Sequence, residues 1–189
     1  MLRISLCLYA IFIVASGVNA QENEKAEGHY RAGYELLTKR NFRNAAIEFE
    51  QAVNANPAYG EAHYLLAQAY NVLNEYEKAT SAYEKARELG IRPEKCTSAL
   101  GKLYNKSAIA SLQQRKYREA VVRFEQALQL DPNNAKTLYA LGLSHIGNSD
   151  EAKAQNAFEG AVKADPQHAK AYYQIADMQR RRRDYGPAA

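Results

Sequence analysis

Four histidines, His29, His63, His145 and His168, are the first side chains of this chain that could bind a metal or move a proton. His29 and His63 lie 34 residues apart, but no group of Cys, Asp or Glu accompanies them at metal-ligand spacing, so half-buried packing is the reading their surroundings support. A thiol is the next candidate. Cys96 shares a helical face with Leu100 and Leu103, which reads as a small buried hydrophobe, with intermolecular pairing or a reactive thiol as the other reading. No glycine-rich phosphate loop is present, and no serine sits in a Gly-x-Ser-x-Gly turn. The carboxylates scatter as they would along solvated helix faces. These residues assemble no catalytic, cofactor or metal site, and the chain reads as a non-enzyme that needs no cofactor.

The elements that would position any site are helices. Tyr117, Ala120, Phe124, Ala127 and Leu128 form an apolar stripe at helical spacing. Asp131-Pro132-Asn133-Asn134 then stops the helix, because proline cannot continue it and Asn and Asp favour turns. A second stripe starts at Leu138 and Leu141. This helix–turn–helix recurs. Ala45, Phe49 and Ala52 return 34 residues on as Ala79, Tyr83 and Ala86, 41 residues further as Ala120, Phe124 and Ala127, and 34 further as Ala154, Phe158 and Ala161. The first helices repeat a small residue at Gly33, Ala67, Ala108, Gly142 and Ala176, and Pro57, Pro132 and Pro166 close three of the units.

This pattern resembles the tetratricopeptide repeat family, whose period is about 34 residues. Small side chains let the two helices of a unit approach, the aromatic fills the remaining space, and each pair must stack on a neighbour to cover its apolar face. The expected fold is all-α: an α-solenoid of antiparallel helix pairs, about four units plus a terminal helix, in a right-handed superhelix. The array spans residues 26–185, with units at 26–59, 60–93, 101–134 and 135–168 and a partial one at 169–185. A lead at 21–25 precedes it and a tail at 186–189 follows. The extra residues 94–100 are nearly two helical turns, which keeps the apolar face in phase. Residues 94–114 therefore read as one lengthened helix with Pro93 at its start; a longer loop is the alternative. The terminal helix reads either as a cap or as the front of a further unit.

Residues 1–20 read as a secretory leader. Met1-Leu2-Arg3 is a short basic start, residues 4–16 are an apolar run too short to span a bilayer comfortably, and Val18-Asn19-Ala20 is the small-residue pattern at a cleavage site. Cleavage after Ala20 would leave Gln21 first. A buried N-terminal helix or a retained anchor is the alternative. Cys7 would leave with the leader, so the mature chain could form no internal disulfide. A periplasmic location suits such a chain; a eukaryotic secretory route is the other.

The family resemblance implies that the first helices line a concave groove holding a protein or peptide ligand. The residues it places there are Tyr30, Tyr34, Tyr64, Gln68, Lys102, Asn105, Lys106, Ile109, Lys136, Tyr139, Leu143, Lys170 and Tyr173. Fourteen tyrosines and no tryptophan occur in the chain, and a tyrosine row on a groove wall offers apolar area plus a hydroxyl. The other reading is that the rings pack between helices. The groove edge changes sign, from Glu27 and Glu61 to Lys102, Lys136 and Lys170, which would set the direction of a polar ligand unless it is ordinary surface charge. Lys102 and Lys106 match two places of the family's carboxylate clamp, but Tyr30, Tyr34 and Leu65 occupy the others, so the clamp is not implied. The asparagine ladder of another subclass is absent.

The net charge is +4. Arg3 with Arg180, Arg181, Arg182 and Arg183 more than accounts for that excess, so the basic character is local. The four-arginine run could touch acidic lipid head groups or stand as a solvated helix face; export argues against nucleic acid. The expected function is a non-catalytic scaffold exported to the periplasm for envelope assembly or secretion. The alternative is the N-terminal repeat region of a larger exported protein, such as a polysaccharide-export or outer-membrane assembly component, or of an enzyme with its catalytic domain beyond residue 189. Composition says nothing about oligomeric state.

Overall fold

The computed structural model describes the backbone of residues 2–185 and the side chains of residues 20–183. The leader expected at residues 1–20 lies outside the described side chains apart from Ala20, and the tail at 186–189 lies outside the described backbone. The described chain is helical with no strand. Its helices are α1 (Leu2–Thr38), α2 (Phe42–Ala55), α3 (Gly60–Val72), α4 (Tyr76–Glu88), α5 (Pro93–Gln113), α6 (Tyr117–Leu130), α7 (Ala135–Gly147), α8 (Glu151–Ala164) and α9 (Ala169–Tyr185). Two compact units divide them, residues 1–96 and residues 97–189. In the first, α1 packs on α2, α2 on α3 and α3 on α4; in the second, α6 packs on α7, α7 on α8 and α8 on α9. No described helix is long and apolar enough to cross a membrane.

The repeat pattern becomes packing at the paired small and aromatic residues. Phe49, Phe124 and Phe158 are fully buried, and so are Ala45, Ala79, Ala120 and Ala154 at the preceding turn. Gly33 and Gly142 have no side chain because the rings of Phe49 and Phe158 occupy that space: a Cβ on either would stand 2.8 Å and 2.4 Å from ring carbons. Ala108 and Phe124 share one apolar cluster with Leu141 and Ala157. The long helix expected at residues 94–114 is α5, 21 residues starting at Pro93. Its Cys96, Leu100 and Leu103 are buried, and the Cys96 thiol donates to the Ile91 carbonyl at 3.2 Å. Burial pushes that thiol's pKa up, which makes it a poor nucleophile.

The turns repeat as faithfully as the core. Arg40, Asn74, Arg115 and Ser149 close α1, α3, α5 and α7 in the left-handed region, at φ 57°, 61°, 58° and 61°. Each is followed by a residue whose amide reaches back to the carbonyl five before it: Asn41 to Leu36, Glu75 to Tyr70, Lys116 to Ser111 and Asp150 to His145. This is the Schellman closure, which satisfies helix-end carbonyls. The next helices begin with side-chain caps where chemistry allows: Asn41 accepts from the Asn44 amide and Asp150 from the Lys153 amide. Gly147 and Gly60 mark further close approaches. A Cβ would lie 2.3 Å from the Tyr117 ring at the first and 2.4 Å from Ile91 at the second.

Candidate functional site

In the first unit, the first helices bring Tyr30 and Tyr34 of α1 beside Arg92, which leads into α5. A cavity of about 540 Å³ opens there, lined by Tyr30, Arg31, Tyr34, Glu35 and Arg92. Tyr34 is half exposed, and its ring centroid lies 6.5 Å from that of Tyr30. Tyr30 is half-buried, stacked on Tyr59 at 4.9 Å and tilted against Phe49 at 6.0 Å. Burial, then Glu61 and Glu27, raise its hydroxyl pKa. Arg92 sits with its guanidinium 4.8 Å over the Tyr64 ring and Nη2 3.4 Å from Glu61. Gln68 is half-buried on the same helix as Tyr64.

The tyrosine row is largely packing. Tyr64 is buried and meets Tyr83 edge-on at 5.7 Å; burial pushes the Tyr83 hydroxyl up to about 12. In the second unit, Tyr139 is half-buried, 5.7 Å from Phe158 and 5.1 Å from the His168 ring. Asn105, in the tyrosine position of its repeat, donates to the Gly101 carbonyl at 3.1 Å and accepts from the Thr137 hydroxyl at 2.9 Å. Of the row, only Tyr173 is mostly exposed. The surface these first helices leave open comes from the next turn: Tyr34 in the first unit, and in the second Ile109, 46% exposed, with Leu143 half-buried.

The expected acidic edge is neutralised locally. Glu27 takes the Tyr59 hydroxyl at 2.5 Å and the Arg31 Nε at 2.9 Å, and these two hydrogen bonds hold its carboxyl below the usual carboxylate range. Glu61 faces Arg92. Lys102, Lys106, Lys136 and Lys170 are exposed in the second unit. In α9, Asp177 binds Arg180 and Arg181, each at 2.6 Å, and Arg182 and Arg183 are exposed.

The histidines are engaged locally or buried. His29 Nδ1 lies 2.8 Å from Glu48, His63 Nε2 lies 3.1 Å from the Pro57 carbonyl, and His168 Nδ1 accepts from the Ala171 amide at 3.3 Å. His145 is buried with Nδ1 unpartnered, and burial lowers its pKa. Among the described residues no group of three or more His, Cys, Asp or Glu could hold a metal ion.

Sequence reasoning missed Arg92, because the loop before α5 carries no periodic signal. It also missed a second cleft of about 510 Å³ in the first unit, lined by Glu50, His63, Tyr70, Lys78, Lys85 and Glu88 among others. There the Tyr70 hydroxyl donates to Glu50 and the Lys78 ammonium lies 5.0 Å over the Tyr70 ring.

Comparison with known proteins matches this helix-pair architecture. A family model described as tetratricopeptide repeat covers residues 30–93 and 139–189, and one described as TPR repeat covers residues 109–148. The chain is 25% identical over 169 residues to the type IV pilus assembly protein PilF of Pseudomonas aeruginosa, a match over 88% of this chain and 64% of that one. It is 29% identical over 122 residues to the BBSome complex member BBS4 of Bos taurus, over 60% of this chain and 23% of that one. It thus spans less than two thirds of the length of either relative. Among solved structures, MamA of Desulfovibrio magneticus RS-1 superposes with a TM-score of 0.50 at 22% identity, covering 85% of this chain and 87% of that one. A double mutant of the RS-1 protein gives 0.52, also at 22%, covering 85% and 86%.

Proposed function

Because this chain belongs to the tetratricopeptide repeat family, a repeat scaffold, we propose that it is a non-catalytic adaptor exported from the cytoplasm, holding a segment of a partner protein on the open face of its first helices. The observation that carries this reading is the cavity of Tyr30, Tyr34 and Arg92 in the first unit. It combines two aromatic faces, two hydroxyls and a guanidinium, a set suited to an extended peptide with both apolar and polar side chains. In the second unit the first helices also leave Ile109, Lys102 and Lys136 exposed, one apolar and two cationic side chains. The proposed domain plan is a leader at 1–20 followed by the repeat array to 185.

Envelope assembly or secretion is the setting we infer, and the similarity to a pilus assembly protein supports it. Two measurements test the reading. N-terminal sequencing of the protein recovered from its native cell should begin at Gln21; a chain still starting at Met1 in the cytoplasm overturns the export. A photo-reactive residue at position 34 or 109 should cross-link the same partner, and the link should vanish with Arg92→Ala or Lys102→Glu respectively. Cross-links insensitive to both changes overturn the groove.

A further inference from the structure

Twice in the first unit a cation stands over a tyrosine of a first helix and is held there by a carboxylate. The Arg92 guanidinium lies 4.8 Å over the Tyr64 ring and 3.4 Å from Glu61. The Lys78 ammonium lies 5.0 Å over the Tyr70 ring and 2.8 Å from Glu75. Tyr34 and Glu35 offer the same two groups without the cation. Both are exposed, and both line the cavity of about 540 Å³. Among the described residues no cation stands over the Tyr34 ring, and no side chain pairs with the Glu35 carboxylate, Lys39 one turn on included. Arg31 on the same wall turns back to Glu27, at 2.9 Å.

We propose that this cavity takes an arginine side chain of the partner segment, laid over the Tyr34 ring with its guanidinium at the Glu35 carboxylate. The inference rests on the groove reading and names the anchor that groove holds. The charge balance points the same way. Three carboxylates, Glu27, Glu35 and Glu61, stand at or beside the cavity against two guanidiniums, Arg31 and Arg92, and each guanidinium already has its carboxylate. A ligand carboxylate would have to displace Glu27 or Glu61, whereas a ligand cation meets a carboxylate that is free. After burial, Glu61 and Glu27 raise the Tyr30 pKa, the mark of a negative field at the ring beside Tyr34. Arginine suits the site better than lysine. Its planar guanidinium stacks on a ring and still directs N–H groups at a carboxylate, and Arg92 combines those two contacts at Tyr64 and Glu61.

The test uses the full chain, isotope-labelled for NMR, and the methylamides of acetyl-arginine, acetyl-citrulline and acetyl-glutamate as probes. Citrulline keeps the shape of arginine and removes its charge. The arginine probe should shift the amide resonances of residues 30–35 and of Arg92 saturably. The citrulline probe should bind about threefold more weakly or worse, and the glutamate probe should leave these resonances in place. Glu35→Gln should weaken the arginine probe about threefold, and Tyr34→Leu by about the same factor, with circular dichroism unchanged because both side chains are exposed. Absence of a saturable shift, equal binding of arginine and citrulline, or indifference to Glu35→Gln overturns the anchor. The natural partner gives the second arm. A photo-reactive residue at position 31, on the cavity wall, should link to the partner beside an arginine, and the link should be lost with Glu35→Lys. A partner linked as strongly in Glu35→Lys as in the wild type overturns the anchor and leaves the groove standing. No link from position 31 or 34 removes the groove, and this inference with it.

Discussion

Phe158 occupies the space a side chain at Gly142 would need: a Cβ there would meet the ring at 2.4 Å, 2.6 Å and 2.8 Å. The ring is fully buried, so it or its neighbours would have to shift to admit a methyl group. Gly142→Ala should therefore destabilise the second unit by about 1–2 kcal/mol, the overpacking strain exceeding the roughly 1 kcal/mol helix-propensity advantage of alanine. Gly33→Ala should cost less, since its nearest Phe49 atom is at 2.8 Å. Phe158→Ala should cost about 3–5 kcal/mol through the cavity it leaves. Urea unfolding of the two glycine variants decides the order. Stabilisation by Gly142→Ala would mean the ring has another place to go.

The left-handed residues that close the first helices give a prediction of opposite sign. Arg115 holds φ 58° and Ser149 φ 61°, a region that disfavours residues with a Cβ by about 1–2 kcal/mol. Arg115→Gly should stabilise by about 0.5–1 kcal/mol, once glycine's greater freedom in the unfolded chain is subtracted. Thermal melts of Arg115→Gly and Ser149→Gly check it. Loss of stability in both would show that these side chains contribute contacts outweighing the backbone strain.

That pair of expectations marks how far the sequence was legible. The small-aromatic-small series is a packing code: each residue is required by the space its partner leaves, so spacing alone revealed the helix pairs and the long α5. The closing turns were not legible, because Arg40, Arg115 and Ser149 are not left-handed formers and adopt that backbone only because the hydrogen bonds of the cap impose it. The groove was half legible. Position along the helix located Tyr30, Tyr64 and Tyr139, but period cannot say whether a tyrosine points to a neighbour or to water. Phe49, Tyr83 and Phe158 lie within 6.0 Å of these rings and take up the surface the residues were expected to show.

His145 makes stability depend on pH. It is buried, its Nδ1 has no partner, and burial lowers its pKa, with Asp150 opposing and Lys153 of α8 assisting; Glu125 of α6 also opposes. His63 is lowered too, chiefly by burial and partly by Lys85, with the Pro57 carbonyl opposing. A histidine whose folded pKa is depressed takes its proton more readily when unfolded. Stability is thus intact above the unfolded value of about 6.5 and falls as the pH drops below it toward the folded value. Urea midpoints at pH 7.5 and 5.5 should show a loss on acidification that is smaller in His145→Gln. An identical loss in that variant would place the acid sensitivity elsewhere.

Tyr64 and Tyr34 should separate folding from binding. Tyr64 is buried, edge-on to Tyr83 and covered by the Arg92 guanidinium, so Tyr64→Ala should cost about 3–5 kcal/mol and weaken any ligand only by loosening the unit. Tyr34 is 51% exposed on the wall of the 540 Å³ cavity. Its truncation should leave stability within about 0.5 kcal/mol while lowering affinity for a groove ligand by about tenfold, as loss of an aromatic anchor does. Denaturation and titration of the same two variants against a cross-linked partner segment read both quantities. A Tyr34→Ala protein that is equally stable and binds as tightly as the wild type would leave the cavity without a ligand and move the search to the cleft of Tyr70 and Lys78.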